Sequence, residues 1–242
     1  MFKETKARSI IKTFSWRVLA TLTTATLVFI FTGELTIAIT IGSIEVVAKI
    51  LLYFFHERLW DKVNIGRKEI KPFVIWFTGL PSSGKTTIAN ALTKKLLKRA
   101  YTLERLYGDK VRQLFPDEGF SKLERDSHIK RVGLLSSILE KNKVIVVASF
   151  VSPYIEARDF VRGICQNFIE VYINTPANIC EKYDKKGLYK RAKSGLIKNF
   201  TGVNDPYQEP KDPEITLSIE SLSLDDCVNR VLDYLNQNKF LV

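Results

Sequence analysis

The pattern of apolar and polar positions divides the chain into two parts. Up to about residue 66 it is dominated by two long apolar runs, VLATLTTATLVFIF and LTIAITIGSIEVVAKILLYFF, separated by the short break TGE. From residue 68 onward, short apolar runs alternate with amphipathic stretches and charged loops. We therefore predict two domains, residues 1–66 and 67–242, with the stretch NIGRKEIKP as the linker between them.

The second part has the pattern of an α/β fold. Short apolar runs predict five strands, at residues 73–77, 103–107, 144–150, 168–173 and 215–219. Helical periodicity lies between strands, as at residues 128–140, and again at residues 224–235. Strands that alternate with helices predict a mainly parallel five-stranded sheet with helices on both faces. Ligands bind such a sheet at the carboxyl ends of its strands.

The first predicted strand runs into the sequence GLPSSGKTT, which fits the pattern G-x-x-x-x-G-K-[ST]. Placed between a strand and a helix, this loop directs backbone N–H groups at phosphates, and the helix N-terminus adds its positive dipole end. Lys85 is predicted to reach the β- and γ-phosphates as a catalytic residue, and Thr86 to hold Mg²⁺. The predicted ATP site comprises Gly79, Leu80, Pro81, Ser82, Ser83, Gly84, Lys85, Thr86 and Thr87.

Composition narrows the classes of partner. The formal net charge of +11 suits nucleic acid, an anionic membrane surface or small polyanions. Nucleic acid is not expected, because zinc-finger spacing, an arginine-rich tail and alternating aromatic and basic positions are all missing from the sequence. The three widely spaced cysteines suit a reducing compartment, and the two histidines exclude a histidine-based metal centre.

The two apolar runs of the first part predict a helical hairpin in the cytoplasmic membrane, with membrane lipid as its partner. Basic residues flank both ends of the hairpin, whereas Glu34 is the charged residue of the turn. This charge asymmetry predicts that both ends, and the ATP site, face the cytoplasm. The basic residues are Lys3, Lys6, Arg8, Lys12 and Arg17 before the runs, and Arg58, Lys62, Arg67 and Lys68 after them.

Other interpretations of this segment remain open. A soluble helical hairpin packed on the second domain is the main alternative, because threonines dilute the first run. A cleaved signal peptide is disfavoured by the second apolar run. Glu45 and Lys49 stand at positions i and i+4, so they are predicted to pair, with either a structural role or a role in transport or assembly.

Several motifs of the second part resemble those of the adenylylsulfate kinase family, over residues 70–220. In chain order they are GLPSSGKTT, GDKVR, GFSKLERDSHIKRV, SPY with Arg158 downstream, KGLY and IKNFTGVNDPYQEP. The resemblance implies transfer of the γ-phosphate of MgATP to the 3′-hydroxyl of adenylyl sulfate, giving 3′-phosphoadenylyl sulfate. It also implies a homodimer as one form of assembly. The stretch from SWRVLATLTT to KILLYFFHERLW resembles a family of short predicted membrane domains of unknown function.

The resemblance also implies an acceptor site. Arg112 and Arg125 match arginines that grip phosphate and sulfate oxygens, a task for which the forked guanidinium is suited. Phe120 and Phe200 match aromatics that sandwich the substrate adenine. The full set of implied substrate contacts is Asp109, Arg112, Phe120, Arg125, His128, Ser152, Pro153, Tyr154, Lys198, Phe200 and Thr201.

Further assignments follow from the resemblance. Asp109 would lie beside the reacting hydroxyl as a catalytic residue. Tyr183 stands where the family usually has an arginine near the ATP base, on which a phenol ring could also stack. Lys198 and the segment Thr201 to Pro206 match a lid that excludes water. His128 stands where the family usually has asparagine, and we interpret it either as a ligand contact or as a surface residue.

The pattern departs from the family at the second strand end. The family usually reads D-G-D, and this chain reads Tyr107-Gly108-Asp109. The first carboxylate of that motif is associated with Mg²⁺ and the attacking hydroxyl, and a phenol replaces neither role well. Three hypotheses follow: an active kinase tethered to the membrane, a catalytically impaired nucleotide-binding module there, or a kinase for another nucleotide-like acceptor. The intact loop, arginines and lid favour the first.

Overall fold

The computed structural model describes residues 2–4, 6–30, 35–63, 65–69, 71–99, 101–113 and 119–241. The chain forms two compact units, Met1–Ile70 and Lys71–Val242. The predicted turn with Glu34 lies outside the described residues, and so do the side chains of Glu45 and Asp109. Predictions about these groups therefore stay predictions.

The first unit is a helical hairpin closed by a short sheet. Helix α1, Lys6–Ile30, packs against α2, Leu35–Lys62. Strand β1, Phe2–Glu4, pairs in antiparallel fashion with β2, Arg67–Glu69. Three residues of the predicted linker therefore form a strand of this unit.

Contacts between the start of α1 and the end of α2 hold this hairpin together. The Arg8 guanidinium donates to the carbonyl oxygens of Trp60, at 2.6 Å, and of Val63, at 2.6 Å. Carbonyls at a helix C-terminus lack partners within the helix, so Arg8 satisfies acceptors at the end of α2. Lys12 pairs with Glu57 at 3.1 Å, which aligns the start of α1 with the end of α2.

The prediction of membrane-spanning helices is not supported by the structure. In the part of the chain that the structure describes, no helix combines the length and the apolar character needed to cross a membrane. The compositions of the helices give the reason. Basic residues and threonines occupy much of α1, and the last turns of α2 carry Glu57, Arg58 and Asp61.

The second unit is built on a parallel sheet of five strands in the order β4-β5-β3-β6-β7. The predicted five-stranded sheet is confirmed. The central strand β3 is buried along its whole length, as expected for an apolar run covered on both faces. The strands are β3, Val74–Thr78; β4, Leu103–Tyr107; β5, Ile145–Ser149; β6, Phe168–Ile173; and β7, Ile215–Leu217.

Helices cover both faces of this sheet. Val74 and Trp76 of β3 pack with Ile129 and Val161, so one face is covered by α5 and α6. Alternate strand residues point the other way, where α3 packs with α9. The helices are α3, Lys85–Lys98; α4, Gly108–Arg112; α5, Lys122–Lys141; α6, Ile155–Ile164; α7, Ala177–Lys182; α8, Leu188–Lys193; and α9, Leu224–Gln237.

Helix α5 begins six residues before the predicted stretch 128–140. The reason is a capping box. The Ser121 side chain accepts from the backbone N–H of Glu124, and the Glu124 carboxylate accepts from the backbone N–H of Ser121. This start brings Arg125 and His128 onto the first turns of α5, where they face the site described below.

Candidate active site

The loop after β3 depends on two glycines. Gly79 has φ of 146°, and a Cβ atom there would lie 2.7 Å from the carbonyl oxygen of Ile173. Gly84 has φ of 92° and directly precedes α3. A side chain at either position would strain the backbone, so the loop shape requires glycine at both. This loop directs the start of α3 at the carboxyl edge of the sheet.

Lys85 lies beneath the loop and is only 7% exposed. Its ammonium group donates to the carbonyl oxygen of Leu80 and to Ser83 Oγ. Burial lowers the pKa of Lys85 to about 7, partly opposed by the neighbouring Cys180. A phosphate on the loop would supply the missing negative charge and favour the protonated amine.

A cavity of about 690 Å³ lies beside this loop, within the range of cofactor and ligand pockets. It joins the ends of β4 and β5, the first turns of α5 and the segment 197–201. Of the predicted site residues, those that line it are Pro81, Ser82, Lys85, Thr86, Arg112, Phe120, Arg125, His128, Ser152, Pro153, Lys198, Phe200 and Thr201.

The described charged residues of the cavity wall are all basic. Its described lining residues include five basic residues, Lys85, Arg112, Arg125, Lys186 and Lys198, and no aspartate or glutamate. Such a wall attracts polyanions strongly. Mg²⁺ prefers carboxylate and other oxygen ligands. Among the described residues no group of three His, Cys, Asp or Glu side chains could hold a metal ion. Thr86 lines the cavity, and its role as a Mg²⁺ ligand stays a prediction.

Phe120 is exposed, at 56%, and forms part of the cavity wall. The guanidinium of Arg112 lies 4.3 Å from its ring centre, and that of Arg125 lies 5.7 Å away. Guanidinium groups over an aromatic face are held by cation–π attraction. An aromatic surface and two cations thus lie together. A nucleobase that carries anionic groups needs such an arrangement for binding.

The segment 199–205, here called the lid, is fastened to the rest of the site. Arg125 donates to the carbonyl oxygen of Asn199 and to Thr201 Oγ1, and lies 3.6 Å from the Asp205 carboxylate. The Tyr154 hydroxyl donates to both carboxylate oxygens of Asp205 at 2.9 Å. In this conformation the lid is closed onto α5 and onto the turn before α6.

The lid also contacts the phosphate-binding loop. At Gly202, which has φ of 90°, a Cβ atom would lie 2.8 Å from Leu80 Cδ2. Phe200 is nearly buried and packs edge-on against Tyr189, with ring centres 5.0 Å apart. The Tyr189 hydroxyl donates to the Pro81 carbonyl oxygen at 3.0 Å. Lid and loop are therefore joined through one small apolar cluster.

The turn Ser152-Pro153-Tyr154 is positioned by a chain of hydroxyl groups. Trp76 Nε1 donates to Ser152 Oγ at 3.0 Å, and Ser152 Oγ donates to Thr78 Oγ1 at 2.9 Å. Thr78 Oγ1 also lies 2.9 Å from the Tyr207 hydroxyl. Ser152 has φ of 38°, uncommon for a residue with a side chain, and this buried chain holds it there.

Some predicted site residues lie elsewhere. Tyr183 is 62% exposed at the end of α7 and is not among the described cavity-lining residues. Leu80 packs in the apolar cluster with Phe200, and Tyr154 binds Asp205. The remaining loop residues outside the lining are Gly79, Ser83, Gly84 and Thr87. Their predicted contacts with ligands stay predictions.

His128 is buried, at 3% exposure, and its ring packs edge-on against Phe150. The interpretation of His128 as a surface residue is therefore wrong. Sequence reasoning singled out Tyr107 as a departure at this site, but it assigned no site role to the lining residues Gly108, Ile129, Ser149, Phe150, Val151, Lys186, Leu188, Ile197 and Asn199. The KGLY motif was a usable signal for Lys186 and Leu188. Ser149 and Phe150, at the end of β5, carried no such signal.

The parallel sheet, the glycine loop and the cationic cavity define the class of the second unit as a P-loop kinase. Residues 71–218 match the family model for adenylylsulphate kinase. The chain belongs to the adenylyl-sulfate kinase family. Residues 10–61 match a second model, described as "Predicted membrane protein (DUF2061)".

Individual relatives agree with this family assignment. The chain is 47% identical to an adenylyl-sulfate kinase of Rippkaea orientalis, over 69% of this chain and 93% of the relative. An adenylyl-sulfate kinase of Halothermothrix orenii is 41% identical, over 71% and 93% of the two chains. A solved APS kinase of Mycobacterium tuberculosis, in complex with AMPPNP and APS, is 34% identical with a TM-score of 0.66, over 69% of this chain and 99% of that one.

Proposed function

We propose that this protein transfers the γ-phosphate of ATP to the 3′-hydroxyl of adenylyl sulfate. The observation that carries the proposal is the cavity beside the phosphate-binding loop, with five basic residues, one exposed aromatic ring and no carboxylate among its described lining residues. Two anionic nucleotides that must meet in one site need a wall of this kind, because their phosphate and sulfate groups repel each other. The family membership supports the same donor and acceptor.

In this proposal the residues divide into a donor side and an acceptor side. Loop N–H groups and Lys85 hold the β- and γ-phosphates of ATP. Arg112 and Arg125 bind the anionic groups of adenylyl sulfate, and its adenine stacks on Phe120. Phosphoryl transfer requires mainly alignment and charge neutralisation, so fixing the two nucleotides in line is the main task.

Water must also be kept from the γ-phosphate, because it competes with the acceptor hydroxyl. The lid performs this role through its contacts with Arg125 and with the loop residue Leu80. Asp109 belongs to α4, which directly follows β4. We propose that its carboxylate accepts the proton of the 3′-hydroxyl. Magnesium bound to ATP would neutralise phosphate charge, with the Thr86 hydroxyl as its proposed protein ligand.

The test is formation of 3′-phosphoadenylyl sulfate and ADP by the full chain, with ATP, magnesium and adenylyl sulfate supplied. A Lys85→Met variant serves as the control for contaminating kinases. Product formation by the wild type alone supports the proposal. ATP binding without product would indicate the catalytically impaired module, and phosphorylation of AMP in preference to adenylyl sulfate would indicate a different acceptor.

We further propose that residues 1–66 attach the kinase to the cytoplasmic face of a membrane. The support is the match to a family described as a predicted membrane protein, together with exposed aromatic and aliphatic side chains on both helices, such as Phe14, Phe54 and Phe55. Fractionation of cells tests it. The full chain should sediment with membranes and require detergent for release, whereas the combined variant Phe14→Glu, Phe54→Glu, Phe55→Glu should not.

A further inference from the structure

Arg158 lies in the first turn of α6 and is only 2% exposed. It is not among the described cavity-lining residues, and the proposed function assigns it no role. A guanidinium keeps its proton in proteins, so a full positive charge is held here away from water. Burial of a charge is costly unless the charge is paired, so the partners of Arg158 must account for its position.

The charge partner of Arg158 is Glu170 of β6, which is itself buried. Arg158 Nε lies 2.8 Å from Glu170 Oε1, and Arg162 donates to Glu170 Oε2 at 3.2 Å. The two arginines stand one turn apart on α6, where like charges repel, and the carboxylate offsets this repulsion. A buried ion pair adds little net stability, because the cost of desolvation opposes the attraction. Stability is therefore a poor explanation for Arg158.

The other donors of Arg158 bind two separate segments of backbone. One terminal nitrogen donates to the carbonyl oxygen of Ser152 at 2.6 Å, and the other donates to the carbonyl oxygen of Gln208 at 2.6 Å. Ser152 belongs to the turn before α6 and lines the cavity. Gln208 belongs to residues 206–208, here called the lid base, which directly follow the lid. One rigid planar group thus joins the cavity-lining turn to the lid base.

Further contacts join the same two segments. The backbone N–H of Gln208 donates to the Pro153 carbonyl oxygen at 2.8 Å, and the backbone N–H of Ile155 donates to Gln208 Oε1 at 2.8 Å. The guanidinium carbon of Arg158 also lies 5.7 Å from the centre of the Tyr207 ring. Arg158 therefore contacts the lid base at two consecutive residues, next to its hydrogen bonds with the turn.

The position of the lid base affects the acceptor side of the cavity through Asp205. This last residue of the lid directly precedes the lid base, accepts from the Tyr154 hydroxyl, and lies 3.6 Å from Arg125. A shift of the lid base relative to the turn would separate Asp205 from both partners. Arg125 lines the cavity, so such a shift would disturb a group proposed to bind the acceptor.

We propose that Arg158 is a positioning residue for the acceptor: by holding the carbonyl groups of Ser152 and Gln208, it sets the spacing between the cavity-lining turn and the lid base at which the lid closes over adenylyl sulfate. Arg158 acts through these two carbonyl groups and needs no contact with either nucleotide. The inference rests on the proposed function, because it takes adenylyl sulfate as the acceptor.

The experiment is a measurement of initial rates of the full chain, with each nucleotide varied in turn while the other is saturating. Arg158→Gln should raise KM for adenylyl sulfate by about tenfold, the effect expected when hydrogen bonds made by a charged group are lost. KM for ATP should stay within about twofold of wild type, because the phosphate-binding loop keeps its shape. ADP formed per product should rise, since a lid that closes poorly admits water.

The matched control is Arg162→Gln. Arg162 shares Glu170 with Arg158, but its other described contacts are with Glu214 and Phe168, away from the turn and the lid base. Its replacement should lower the thermal midpoint and leave both KM values within about twofold of wild type. Arg158→Lys keeps the charge beside Glu170 but cannot bridge both carbonyl groups, so its KM for adenylyl sulfate should lie between those of wild type and Arg158→Gln.

The outcomes separate this inference from the proposed function. Product formation by the wild type, with an unchanged KM for adenylyl sulfate in Arg158→Gln, keeps the proposed function and overturns the inference. Equal rises in both KM values, or the same rise for adenylyl sulfate in Arg162→Gln, also overturn it. If Arg158→Gln does not fold, Arg158→Lys decides by the same two constants. A wild type that forms no product overturns both.

Discussion

Gly79 and Gly84 shape the phosphate-binding loop through backbone geometry, whereas the end of β4 presents Tyr107 through a side chain held by other parts of the fold. Both regions contribute to the same cavity. The loop is a local structure, since its N–H groups belong to consecutive residues. The strand end is a tertiary structure, since Arg105 reaches Ser149, which is 44 residues away.

This difference indicates which changes each region can tolerate. A phosphate cradle made from backbone depends on residues that lack side chains, so almost any substitution there removes it. A charge pattern made from side chains can change residue by residue while the strands keep their positions. The following predictions test this contrast, from the largest expected effect to the smallest.

The largest effect is expected from Gly79→Ala. The new methyl group would lie 2.7 Å from the Ile173 carbonyl oxygen at a φ of 146°, so the loop must shift. We expect ATP affinity to fall by at least about a hundredfold, the order expected when several phosphate contacts are lost together. Titration with ATP measures it. If ATP affinity falls less than about tenfold in a folded variant, the loop does not depend on glycine geometry in the way proposed.

A matched control is Gly163→Ala. This glycine lies within α6, and a Cβ atom there would meet nothing within 4 Å. Alanine is the better helix former by roughly 1 kcal/mol, so the thermal midpoint should stay or rise slightly. ATP affinity should not change. A comparable loss at both glycines would mean that the effect at Gly79 is not specific to the loop.

The second prediction concerns the other region. Tyr107→Asp places a carboxylate at the end of β4, where a P-loop enzyme can use one to bind Mg²⁺. We expect turnover with adenylyl sulfate to rise by about tenfold and to become more dependent on Mg²⁺. Tyr107→Phe keeps the ring and should stay within about twofold of wild type. Equal gains in turnover for both variants would show that removal of the Tyr107 hydroxyl causes the gain, rather than the new carboxylate.

A moderate effect is expected from Asp205→Asn in the lid. Asp205 lies 3.6 Å from Arg125 and accepts from the Tyr154 hydroxyl, so the change loosens both partners. KM for adenylyl sulfate should rise by about fivefold, in line with loss of a hydrogen bond to a charged group, while KM for ATP stays unchanged. Asp225→Asn, at an exposed pair with Lys95, is the control. A rise confined to the ATP constant would contradict this role of the lid.

The smallest expected effect is the uptake of protons when ATP binds. Burial lowers the pKa of Lys85 to about 7, and bound phosphate should raise it. ATP binding should therefore take up close to one proton per site at pH 8, falling to roughly a tenth of a proton at pH 6, where the amine is already charged. Calorimetry in buffers of different ionisation enthalpy measures this uptake. Proton release at pH 8 would contradict the charge assignment of Lys85.

The sequence allowed much of the second unit to be predicted. Strand order along the chain, the approximate strand bounds and the phosphate-binding loop follow from local patterns of three to ten residues. The start of α5 was predicted too late, because the apolar periodicity begins after the capping residues Ser121 and Glu124. In the first unit, apolar length suggested membrane-spanning helices, and the charges and threonines of α1 and α2 weakened that prediction.

The amino-acid sequence by itself determined that a phosphate-binding loop lies between a strand and a helix, and that five strands alternate with helices. Tertiary structure alone decided which charges surround that loop. Arg105 meets Ser149 through the register of β4 and β5, and Arg125 meets Thr201, 76 residues away, through closure of the lid. The physical reason is range. Backbone geometry and periodicity act between near neighbours in the chain, whereas the field in a cavity sums over side chains that only the packed sheet and helices bring together.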